Sequence, residues 1–95
     1  MYILIASFIK EPAEVAKHAE AHRAWVDKYF NQGVFFAAGP KKSKLGGAIL
    51  ARSMDKSQLL KIMQEDVYVT EDLVEYQIVD LDCKVLHKDL SLLAS

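Results

Sequence analysis

His22, Asp66, the single Cys83 and a lysine-rich turn flanked by glycines are the features through which this chain could do chemistry. His22 is the most informative. It falls in line with Val15, Ala19, Val26, Tyr29 and Phe30, a spacing of threes and fours that marks one face of a helix. An imidazole on such a face can accept and return a proton near neutrality, and a neighbouring carboxylate would tune and orient it. A packed histidine bonded to a carbonyl would satisfy the same position. Asp66 stands in Gln64-Glu65-Asp66-Val67-Tyr68, where a second helix is expected to end. The dipole at a helix C-terminus favours cations, so a carboxylate there is mildly unfavourable. A functional loop tolerates that; so does an unpaired surface aspartate, or one paired with Lys17 or Arg23.

The remaining candidates carry weaker signals. His18 precedes His22 by one helical turn, but the glutamate between them is one place off the H-E-x-x-H pattern and no third metal ligand is evident. His18 reads more simply as an exposed helix residue, and no metal is expected. Gly39-Pro40 and Gly46-Gly47 flank Lys41, Lys42 and Lys44, where backbone N–H groups beside lysines could bind a small anion. Hairpin geometry alone accounts for those glycines. Cys83 lies on the strand side of Val79 and Leu81, where it would behave as a small apolar residue.

These residues need elements to position them. Residues 2 to 9 form a continuous apolar run, a strand buried on both faces, and Pro12 suits the first position of a helix that stops at Asn31-Gln32-Gly33. Val34 to Ala38 predicts a second strand, ended by Gly39-Pro40, and Gly47 to Ser53 a third, with a hairpin turn between. Asp55 is placed to cap a second helix reaching about Glu65. Residues 66 to 72 are expected to be irregular or briefly helical, and Tyr76 to Val85 a fourth strand. The order β-α-β-β-α-β is the split βαβ, ferredoxin-like α+β arrangement, with both helices on one face of an antiparallel sheet. Strands one and two carry apolar residues on both sides, yet helices cover only one. Large exposed apolar patches usually mark interfaces, so a homodimer packed sheet to sheet is expected.

Composition narrows the function classes. Ninety-five residues fit one domain, and a 52% hydrophobic, 26% charged composition is too apolar for disorder and too charged for a membrane protein. A formal net charge of −1 supplies no field for phosphate backbones, so nucleic acid is not an expected partner. Charge is uneven all the same: residues 41 to 61 hold six bases and one acid, residues 65 to 82 seven acids and no base, which could set the register between two copies. The N-terminal apolar run is too short for a span, which needs about 20 residues, and lacks the basic start of a secretory signal. One unpaired cysteine fits a reducing compartment, so a cytoplasmic location is expected.

His22, Gly39-Pro40, the Gly46-Gly47 strand and Asp66-x-Tyr68 together resemble the YCII-related family of small bacterial proteins, over residues 1 to about 88. The resemblance implies a ferredoxin-like dimeric α+β barrel and a His and Asp pair, carried onto His22 and Asp66, with Lys44, Gly46, Gly47 and Tyr68 as substrate-binding positions. A ring dehydrochlorinase is one family member of known activity. The chain departs from the family pattern in places. Asp66-Val67-Tyr68 stands where many members have Asp-Pro and an aromatic, which leaves the backbone that aims Asp66 less constrained. Ala19 stands where some have an arginine, and Ser43-Lys44-Leu45 where others have Pro-Arg-Thr. Ala19 removes a bidentate anion contact and Lys44 offers only a point charge. The leading expectation is a small enzyme moving a proton on a small, cyclic or unsaturated substrate, without a cofactor. Its rival is a non-catalytic dimer that binds a small ligand or another protein. A concave pocket beside His22 discriminates between them.

Overall fold

The structure, a computed structural model, describes residues 1–93. The last two residues of the expected C-terminal tail, 86 to 95, lie outside the described residues. The chain runs β1 (Tyr2–Phe8), α1 (Pro12–Ala16), α2 (Ala19–Asn31), β2 (Phe35–Pro40), β3 (Gly46–Ala51), α3 (Lys56–Met63), α4 (Val67–Thr70) and β4 (Val74–Asp80), followed by a 3-10 segment, Lys88–Leu93. The four strands form one antiparallel sheet in the order β2-β3-β1-β4. This is the α+β, ferredoxin-like order expected from the sequence, with the first helix broken into α1 and α2 and the segment after α3 briefly helical as α4.

The sheet's two faces follow from strand alternation. Tyr2, Leu4 and Ala6 of β1 are buried under the helices, together with Phe35, Ile49 and Ala51 of the neighbouring strands. Trp25, Tyr29, Leu59 and Met63 close that core from the helical side. Ile3 and Ile5 point the other way; Ile3 pairs with Leu50 and Val79, and Ile5 with Ala48 and Gln77, so the outer face is largely apolar. No helix among the described residues is long and apolar enough to cross a membrane.

Several boundaries move, each for a local reason. The first helix breaks at Lys17 and His18, where His18 leaves helical geometry (φ −113°, ψ 4°). The break re-phases the apolar stripe: Trp25 and Tyr29 are buried, whereas Phe30 is 54% exposed. His18 is half-buried at that break and not an exposed mid-helix residue. The helix end is as expected. Gly33 takes φ +76°, its N–H donates to Phe30 O and the Val34 N–H to Tyr29 O, the paired bonds of a Schellman cap.

β2 does not stop at Ala38 but continues through Gly39 and Pro40, which pair with Ala48 and Gly47, and a register shift between Phe35 and Ala37 puts Phe35 and Ala38 on the same side. Asp55 precedes α3 in extended conformation, but its side chain makes no capping bond. β4 runs from Val74 to Asp80 and not to Val85: its pairing with β1 ends at Tyr2 and Asp80, followed by the Leu81 N–H on Met1 O. Cys83 therefore lies beyond the sheet and is exposed, not packed as a small apolar residue. Leu86 and Leu93 of the tail are half-buried near Met1 and Leu81, while Leu92 is 86% exposed.

Candidate active site

Three ties between α2 and the α3 end set the position of the site. The Trp25 indole N–H donates to Ile62 O at 2.9 Å. Lys28 Nζ reaches Glu65 Oε1 at 2.8 Å, and the Tyr29 hydroxyl donates to Glu65 Oε2. With Glu65 held against the last turn of α2, the next residue turns inward, and Asp66 meets His22 about two helical turns before Tyr29 along the same helix. His22 Nδ1 and Asp66 Oδ1 are 2.7 Å apart, a hydrogen bond across 44 positions of sequence.

Asp66 is fully buried. It is neither the unpaired surface aspartate nor the helix-terminating residue that the sequence suggests. Its backbone is extended (φ −73°, ψ 123°) and it caps the N-terminus of α4, with Oδ1 accepting the Tyr68 N–H at 3.0 Å. Oδ2 accepts the Tyr76 hydroxyl at 2.9 Å. Neither Lys17 nor Arg23 bonds to it; its three donors are His22, Tyr68 and Tyr76. A carboxylate only accepts, so the His22 proton in this arrangement belongs on Nδ1 and the lone pair on Nε2. Nε2 has no hydrogen-bond partner among the described residues. The Tyr68 ring lies flat on the imidazole, with centroids 3.9 Å apart and planes 6° from parallel, so stacking on one side and the carboxylate on its edge hold the ring.

The His22 side chain is 22% exposed and opens on a cavity of about 400 Å³ between α2 and the sheet. Ala19, Arg23 and Val26 form the helical wall, and Ala6, Ala38 and Ile49 the sheet side. Gly46, Gly47, Tyr68 and Tyr76 also line it. The two glycines have a structural cause. A Cβ on Gly46, at φ +155°, would stand 1.9 Å from Ala6 O, and one on Gly47 2.9 Å from Gly39 O. Close strand approach requires their small size, and the cavity gains the space. Lys44 sits on the exposed turn at φ +64° and is not among the lining residues.

Burial, reinforced by the Asp66 charge, pushes the Tyr68 phenol up, with Arg23 pulling the other way. Burial acts more strongly on Tyr76, again with Asp66 adding to it. Both phenols are therefore proton donors at neutral pH. Among the described residues no three His, Cys, Asp or Glu side chains cluster to hold a metal ion.

Tyr76 and Arg23 are the site residues not singled out in the sequence. Tyr76 stands at the expected start of strand four, and alternation with Ile78 on the helix-facing side was the signal that could have found it. Arg23 carried none, since a residue next to the apolar stripe is usually solvated.

None of the curated proteins compared with this chain matches it. The family model for the YCII-related domain matches residues 1–82, which include every residue that lines the His22 cavity. By that match the chain belongs to the YCII-related family.

Proposed function

We propose that this protein is a small enzyme that moves a proton on a small organic substrate, with His22 as the acid and base and Asp66 as its orienting partner. The observation that carries this reading is the asymmetry of the His22 ring: Nδ1 is bound to a buried carboxylate while Nε2 is free beside a cavity. Nε2 takes a proton from a substrate C–H or O–H bond, and the bonding electrons stay on the substrate. The imidazolium so formed keeps its second N–H on Asp66, whose charge opposes the new one. The proton then returns to another atom of the substrate or to its leaving group.

About 400 Å³ of mostly apolar space lies near the lower end of small-ligand pockets and suits a compound of one ring or a short unsaturated chain. The test is proton exchange. Small cyclic and unsaturated carbonyl compounds and phenols are incubated with the protein in deuterated water and followed by proton NMR. Loss of a C–H signal with the wild type, slowed about 10²- to 10⁴-fold in His22→Asn, is the expected result. Compounds that bind beside His22 without exchange or turnover would sink the reading in favour of a binding protein.

We also propose that two copies pack through the outer sheet face, as the apolar residues Ile3, Ile5, Leu50 and Val79 would otherwise face water. The cytoplasm, the compartment that suits a lone thiol, is the proposed location.

A further inference from the structure

Two polar groups of the cavity, the Arg23 guanidinium and the Tyr68 hydroxyl, take no part in the hydrogen bonds that hold His22. Arg23 is exposed and lines the cavity, and among the described residues its guanidinium makes neither an ion pair nor a side-chain hydrogen bond. Asp27, one turn further along α2 on the same wall, forms no ion pair with it. Tyr68 is the second. Only 7% of this residue is exposed, its backbone N–H is spent on Asp66, and its hydroxyl has no partner among the described residues. No buried side-chain polar atom among them lacks a partner, so that hydroxyl opens to accessible space, at a residue that lines the cavity.

A phenol is a neutral donor and a guanidinium a charged fork of donors. Both groups belong to residues that line one cavity of about 400 Å³, Arg23 from the α2 wall and Tyr68 from beside the His22 ring. Of the carboxylates near these groups, Asp66 is saturated by three donors, and Asp27 makes no ion pair with Arg23. We infer that Arg23 and the Tyr68 hydroxyl form an anion subsite beside His22, and that the ligand of the cavity is a small carboxylic acid with an apolar body.

This inference rests on reading the cavity as the substrate site and adds the class of substrate. The carboxylate sits between guanidinium and phenol, and the body lies against Val26, Ala6 and Ile49, within reach of Nε2. When Nε2 takes a proton, the electron pair left on the substrate faces the Arg23 charge. An amine in the same place would meet that charge unfavourably.

The test uses isosteric pairs: benzoate with benzamide, and cyclohexene-1-carboxylate with its amide. Each is titrated into the whole ¹⁵N-labelled chain and followed at His22 and Trp25. The acids are expected to bind about tenfold or more tighter than the amides, the scale of one charge-assisted hydrogen bond. Arg23→Gln and Tyr68→Phe each abolish most of that preference, and ligand-free spectra that keep the wild-type positions of Trp25 and the β3 amides show the cavity intact. Arg23→Lys restores part of it, since an ammonium supplies charge without the fork. Equal binding of acids and amides, an unchanged preference in Arg23→Gln, or no binding by any acid overturns the inference. His22→Asn separates it from the proposed reaction. An acid preference that survives in this variant, in a protein that exchanges no protons, would leave the subsite standing and remove the catalysis. Exchange on neutral compounds only would do the reverse.

Discussion

A carboxylate withdrawn from water needs donors for both oxygens, and Asp66 has three: an imidazole, a backbone N–H and a phenol. The consequence for His22 is directional. Asp66 accepts from Nδ1 and holds the ring in one tautomer, so Asp66→Asn, with His22 still in place, is expected to slow the proposed proton exchange about tenfold or more in the deuterium assay. Equal exchange rates in wild type and variant would mean that Asp66 does not act on His22. Tyr76 serves the same carboxylate from the opposite side. Tyr76→Phe removes a hydrogen bond to a charged acceptor and is expected to cost about 1.5–3 kcal/mol of stability, seen as a lower urea midpoint at unchanged slope. The His22 side of this arrangement was legible in the sequence, because helical periodicity marks a buried face. The Asp66 side was not, because a brief helix over residues 66 to 72 could be read there, but not that Asp66 caps it with its carboxylate turned inward.

At the scale of elements, α2 carries the site because its whole inner face is tied down, from His22 through Trp25 to Tyr29. The outermost tie is sensitive to pH. The Lys28 and Tyr29 hydrogen bonds hold the Glu65 carboxyl below its ordinary value of 4.5, while burial works slightly against them. A carboxyl depressed in the folded state stabilises above its unfolded value, and that stabilisation is lost as pH falls through the folded value. Wild type is therefore expected to exceed Glu65→Gln in stability at neutral pH, and the gap to close below about pH 4 in urea titrations. The β3 strand depends on a residue with no side chain. Gly46→Ala would drive a Cβ into the Ala6 carbonyl at a backbone angle that L-residues avoid. The strand must shift, and a loss of about 2–3 kcal/mol in denaturant unfolding is expected. Wild-type stability in this variant would show that β3 moves freely past β1.

For the whole molecule, the outer sheet face decides the association state. A second copy covering Ile3, Ile5, Leu50 and Val79 predicts light-scattering masses near twice 10.7 kDa at micromolar concentration, and Leu50→Glu is expected to shift them toward the monomer without unfolding it. A wild-type mass of 10.7 kDa would refute the dimer. Alkali tests the packing of the tyrosines. Tyr2, Tyr29, Tyr68 and Tyr76 are all raised above their ordinary value of 10.0, with burial the leading cause. The unfolded chain therefore loses phenolic protons first as pH rises through 10, and stability is expected to fall there. Monitored by unfolding between pH 8 and 11, Tyr76→Phe should fall less steeply than wild type.

The order of strands and helices, the α+β class, the Gly33 helix end and the inner position of His22 were determined by the sequence alone, because each depends on periodicity and turn chemistry within a few residues. The end of β4 was not, because a strand lasts only as long as its pairing with a neighbour, and β1 and β4 are remote in sequence. The break at His18 and the bulge in β2 likewise reflect how each segment fits the sheet. Only the tertiary structure brought Asp66 to His22 and Tyr76 to Asp66, and placed Arg23 and Tyr68 around one cavity. Those meetings join positions as many as 44 residues apart. Short-range pattern cannot encode them, since they follow from packing α2 and the α3 end side by side on one face of the sheet.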